Sequence, residues 1–148
     1  MKKYILSALG LLMLGTCLTT INARKQPVPK IYMFGMAASF TDTIVHFTNI
    51  QEVDSAWIDT RNNFLQDREA YSYQLRDYLS TQQAMPQRTC MVFYSLKREK
   101  LLKKYQKMQR LYTKSKDGLK HFDVRQLDDQ QFRFKTVSSE IITEGDAQ

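Results

Sequence analysis

The chain has 148 residues, enough for one domain of ordinary size with a real core. With 43% apolar and 25% charged residues, its composition excludes wholesale disorder and sits in the globular range. The formal charge of +7 is not evenly spread, which argues against a uniformly basic protein and for a local basic surface.

Met1-Lys2-Lys3 is a short positive start, and Tyr4 to Leu18 is a mostly apolar block carrying Ile5, Leu6, Leu9, Leu11 and Leu12. Ile21 and Ala23 then occupy the two positions that a signal peptidase inspects. This is the layout of a secretory signal peptide, residues 1–23, cut after Ala23. The apolar block is shorter than the ~20 residues of a membrane-spanning helix, so the cleaved chain is not expected to be transmembrane. Leu14-Gly15-Thr16-Cys17 also resembles a lipobox, with Cys17 as the lipidated residue, although Thr16 stands where Gly, Ala or Ser is usual. An uncleaved membrane anchor is the third reading, and all three export the domain, to the periplasm or beyond. Cleavage after Ala23 removes Lys2 and Lys3 and leaves +5; Cys90 is then a solitary thiol with no intramolecular disulfide open to it.

Residues 24–30, RKQPVPK, carry two prolines and no periodicity, and read as an extended polar lead-in. The folded domain is expected over 31–137. Lys30 to Phe40 is apolar on both alternating faces, with Ile31, Met33 and Ala37 on one and Tyr32, Phe34, Met36 and Phe40 on the other. Such a strand suits the middle of a sheet covered on both sides, with Gly35 marking a bulge or a close approach. Thr43 to Ile50 is β-branched and aromatic, a second strand hairpinned to the first. Asp54 and Ser55 read as the cap of a helix whose stripe begins at Trp57 and Phe64. Arg61, Asn62 and Asn63 interrupt it, and Asp67 offers a fresh start for a firmer helix from Arg68 to Thr81. Arg61 and Arg68 on an apolar stripe leave two readings: a helix break that swings them to solvent with stems lying along the surface, or a buried Arg–carboxylate pair or anion pocket.

Thr89 to Ser95 is a third strand containing Cys90. Lys97 to Lys114 is the clearest helix, and Gly118 supplies its stop. His121–Leu127 and Gln131–Val137 alternate around Asp128-Asp129-Gln130, a hairpin, and 138–148 is a flexible acidic tail. The order β-β-α-β-α-β-β predicts an α+β fold: a single domain with a mixed sheet of about five strands and two main helices.

At ~100° per residue, Leu101, Tyr105, Met108 and Tyr112 fall within about 60° of arc, flanked by Leu102 and Leu111. Lys100, Lys103, Lys107, Arg110 and Lys114 cluster within about 80° on another side. Residues 97–120 hold ten Lys/Arg against Glu99 and Asp117, a local net of +8, so the rest of the +5 mature chain carries −3. A solvated lysine face needs no further purpose, since lysine is a good helix former and keeps proteins soluble. As a binding surface it implies an anionic partner: anionic lipid, lipopolysaccharide, or an acidic glycan or protein. Nucleic acid is disfavoured behind an export signal and without interleaved aromatic residues.

His46, Cys90, His121 and Asp123 match no metal-ligand spacing, and Cys90 lies mid-strand and not at a thiolate-stabilising helix start. No phosphate-cradling glycine loop, GxSxG elbow or HExxH helix occurs, and no cofactor is implied. The expectation is an exported non-enzymatic domain that binds through its basic helix face. The rival is a small hydrolase-like enzyme with an unrecognised site.

The leader, Phe34-Gly35…Ser39-Phe40…Asp42-Thr43 and Tyr71-Ser72-Tyr73-Gln74-Leu75-Arg76 together resemble small exported cell-envelope proteins of Bacteroidetes. That resemblance implies a cell-envelope address and carries no site residue with it.

Overall fold

The computed structural model describes residues 25–114 and 121–138. The predicted cleavage site after Ala23, Cys17, the Gly118 stop and nearly all of the acidic tail lie outside the described residues. Six strands and two helices follow in the order β1 (Lys25–Ala38), β2 (Ile44–Thr48), β3 (Gln51–Asp59), β4 (Phe64–Leu65), α1 (Arg68–Gln82), β5 (Thr89–Ser95), α2 (Arg98–Thr113) and β6 (Asp123–Leu127). The fold is α+β, a single domain with a mixed sheet.

β1 is the central strand. β3 and β5 both pair with Tyr32 and Met33, and β2 and β5 both pair with Met36 and Ala37. A residue has only two edges, so β5 runs along one side of β1 while β2 and β3 share the other. β6 adds in parallel to β2, with Ile44 opposite Asp123, and all other pairings are antiparallel.

The two-faced pattern of β1 is realised by one helix on each side. Ile31, Met33 and Ala37 pack with Tyr71, Leu75 and Leu79 of α1. Phe34 and Met36 pack with Leu101 of α2, with Val45 and Phe47 of β2 beside them. Phe40 departs from its expected face: it sits fully exposed in the turn between β1 and β2.

Between β2 and β3 the pairing shifts by one residue. Phe34 and Gly35 lie between the pairs Met36–Phe47 and Met33–Gln51, opposite three residues, Thr48, Asn49 and Ile50. This is a β-bulge, and it leaves ladder groups to be satisfied in another way. Thr48 Oγ1 accepts the Gly35 amide at 2.9 Å and donates to the Asn49 carbonyl at 2.9 Å. A Cβ on Gly35 would meet Leu75 Cδ2 at 2.7 Å, so the bare glycine is what lets α1 settle onto the sheet here.

Three expectations are corrected. The lead-in 24–30 is not a separate segment: β1 begins at Lys25, paired to Asp59. The residues from Asp54 onward do not begin a helix but lie in β3. Pro29, with no amide to donate, faces Ser55, whose φ is 54°, and the ladder skips that pair. Across it the buried positions change parity, from Ile31 and Val53 to Val28, Ala56 and Ile58, which produced a helix-like spacing in the sequence. Finally, 131–137 is not the second arm of a hairpin. It is an extended strap with no strand partner among the described residues, and Phe132 and Phe134 cap the α1-side core.

Other boundaries follow the local signals closely. β5 spans the expected residues, and α1 begins at Arg68 behind Asp67, which takes a left-handed conformation and makes no side-chain cap bond. No helix of the described residues is long and apolar enough to cross a membrane.

A basic helix face and the cleft at its first turn

α2 starts where β5 ends. Ser95 Oγ accepts the Lys97 amide at 3.1 Å, and Glu99 places negative charge in the first turn, where helix amides are unpaired. The expected seam is the docked one. Leu101 is buried, and Tyr105, Met108 and Tyr112 pack beside it against the sheet. Tyr105 stands edge-on to Phe34 and Phe47, with ring centroids 5.0 and 6.0 Å away, and Tyr112 meets Phe47 and Phe122 in the same manner. The Tyr105 hydroxyl donates to Gln126 Oε1 at 3.0 Å and accepts from Gln109 Nε2 at 2.9 Å, so the half-buried ring has its polar end satisfied. Leu111 does not flank the seam; it is exposed among the lysines.

Lys100, Lys103, Lys107, Arg110 and Lys114 are all exposed, as is Lys104, which belongs to the same band. Among the described residues, no ion pair involves any of them; the four pairs are Lys30–Glu52, Arg61–Asp59, Arg88–Asp42 and Arg125–Asp123. Lys104 Nζ lies 4.7 Å from the centre of the Phe93 ring, a cation–π contact that holds its charge over the β5 edge.

Beside the first turn of α2 a cleft of about 520 Å³ opens along Val92 to Lys97. Arg68, Lys97, Lys100 and Lys104 line it with Asn62 and Asn63, and among the described residues its lining contains no carboxylate, histidine or cysteine. The structure therefore divides the expected site. Lys100 belongs to both helix face and cleft, whereas Lys103, Lys107, Arg110 and Lys114 lie outside the cleft. Lys97 and Lys104 carry no binding expectation from the sequence. Arg68, expected either along the surface or in a buried Arg–carboxylate pair or anion pocket, is exposed at the cleft wall. Its Nη2 donates to the Val92 carbonyl at 3.1 Å. Arg61 pairs with the buried carboxylate of Asp59 at 3.6 Å, so an Arg–carboxylate pair forms and not an anion pocket, with the guanidinium itself half exposed.

The chemically reactive side chains gather elsewhere. Ala37 pairs with His46 on one side and Cys90 on the other, which puts both on the α1 face of the sheet, two strands apart. His46 is buried, its Nδ1 has no partner, and burial together with Arg88 and Arg125 holds its pKa below the ordinary value. Burial pushes the half-buried Cys90 thiol up to about 11, the opposite of what a nucleophile needs. His121 is exposed. Among the described residues, no group of three or more His, Cys, Asp or Glu side chains is placed to hold a metal ion.

No protein-family model matches the chain, and neither curated proteins nor solved structures provide a match. The class of the protein therefore rests on its own geometry: a sheet domain helix-covered on both faces that presents one basic helix whose exposed cations make no ion pair among the described residues.

Proposed function

We propose that this chain is an exported, non-catalytic domain that holds an anionic partner on the basic surface of α2. One observation carries the reading: six cations, Lys100, Lys103, Lys104, Lys107, Arg110 and Lys114, share one exposed face without an ion-pairing carboxylate among the described residues. Their spacing along a single helix keeps neighbouring charges within a Debye length of ~8 Å, so the face presents a collective field. The seam beneath is occupied by the aromatic packing against Phe34 and Phe47, which favours surface attraction over insertion of the helix into a bilayer. Anionic lipid, lipopolysaccharide, and acidic glycan or protein share the chemistry that such a face recognises.

The test is charge reversal. The triple variant Lys103→Glu, Lys107→Glu, Arg110→Glu alters exposed positions away from the core. It should weaken co-sedimentation with phosphatidylglycerol vesicles, or binding to lipopolysaccharide, by at least about tenfold, and binding of the native protein should fall with salt. Binding of the variant equal to that of the native protein would overturn the reading.

A further inference from the structure

We propose that the outer edge of β5 takes an extended acidic peptide as an added strand, with Lys100 and Lys104 reading carboxylates at alternate positions. The proposal rests on the reading above that the α2 surface receives an anion, and it names the partner as a protein segment.

Among the described residues β5 pairs with β1 alone. In an antiparallel strand the amide and carbonyl of one residue point to the same edge, and successive residues alternate. The bond from Arg68 Nη2 to the Val92 carbonyl shows which residues face outward. Val92 and Tyr94 present their backbone groups to the outer edge, and Phe93 and Ser95 turn theirs to β1. An unpaired edge of this kind is a template for another strand unless something covers it. Here it opens into the cleft, and Arg68 bonds only one of its acceptors.

Side chains of an added strand would alternate between the two faces of the sheet. On the Phe93 side they meet Lys100 and Lys104, since the Lys104 ammonium lies over that ring. On the other side they meet Asn62, Asn63 and Arg68. Residues i and i+2 of a strand are separated by about 6.7 Å. Lys100 and Lys104, four residues apart on one helix, are separated by about 6 Å of rise. The two repeats match, so glutamates two apart in the peptide each find a lysine. A cleft lined, among the described residues, by four cations and no carboxylate has the complementary charge for such a segment.

The probe is a fluorescein-labelled peptide alternating Val and Glu, compared with its Val/Gln counterpart by anisotropy at physiological salt. The Val/Glu peptide should bind. Replacement of Glu by Gln, or the protein variant Lys100→Glu with Lys104→Glu, should weaken binding at least about tenfold. Amide exchange supplies a second signature: the peptide should slow exchange at Val92 and Tyr94. Equal binding of the two peptides, or binding without protection of those two amides, would sink the strand-addition model. Vesicle binding lost in the Lys103, Lys107, Arg110 variant, with no peptide binding, overturns this proposal and leaves the broader reading standing. Failure of both probes overturns both.

Discussion

Gln51 holds Phe134 as a neighbouring strand would: its Oε1 accepts the Phe134 amide at 2.9 Å, and its Nε2 donates to the Phe132 carbonyl at 2.8 Å. Gln74 repeats the device on Lys135, accepting its amide at 2.8 Å and donating to its carbonyl at 2.9 Å. Tyr71 adds its hydroxyl as acceptor for the Val137 amide at 3.2 Å. The strap that closes the α1-side core is therefore held by side-chain amides in place of a backbone ladder.

Replacing Gln51 with leucine keeps much of its volume but strands one backbone donor and one acceptor away from water. The expected loss is about 2–4 kcal/mol in denaturant unfolding, because a buried unpaired group costs its full desolvation. Gln74→Ala, at a position that water reaches, should cost less than about 1 kcal/mol. Equal losses for the two variants would contradict this account.

His46 gives the domain an acid sensitivity that sets in below the ordinary histidine value of 6.5. Burial is the main cause of its lowered pKa, Arg88 and Arg125 add to it, and Asp123 and Asp42 oppose it. The unfolded chain therefore binds the proton more readily. Stability is complete above the ordinary value of 6.5 and is lost as pH falls through the lower folded value. Melting temperature should begin to fall as pH drops below about 6.5. His46→Leu should remove most of that slope, since it also removes the unpartnered Nδ1. Asp42 and Asp59, whose carboxyls are held below their ordinary 3.8, act only at lower pH and would leave the window unchanged.

Cys90 makes the converse prediction in alkali. Its thiol stays protonated up to about 11 in the fold, against 9.0 ordinarily, with burial as the principal cause. The contribution to stability is whole below pH 9.0 and is lost as pH rises through about 11. Iodoacetamide at neutral pH should label the native protein far more slowly than the urea-unfolded chain. Labelling at equal rates would show the thiol to be accessible and ordinary.

Much of this molecule is legible without coordinates. The spacing of Leu101, Tyr105, Met108 and Tyr112 identifies α2 and its docked side, because four residues advance a helix by little more than one turn. The apolar character of both faces of β1 announces a helix on each side. The run from Thr89 to Ser95 marks β5, and the strong start at Arg68 marks α1. In each case the signal is local, carried by neighbours within one element.

Three features belong to the tertiary structure alone. β3 hides from any periodicity because Val53, Ala56 and Ile58 straddle a change of parity that only the skipped position, Pro29 opposite Ser55, explains. The strap escapes because its ladder partners are glutamine side chains 83 and 61 residues distant in sequence. The cleft escapes for a related reason. Lys100 and Lys104 are placed by their helix, but Arg68 joins them through the Val92 carbonyl, 24 residues away. Sequence by itself determined a basic face, because charge spacing on a helix is local. Only the packing of α1, β5 and α2 decided that part of this face opens onto a strand edge with no partner among the described residues, because that depends on contacts between segments far apart in the chain.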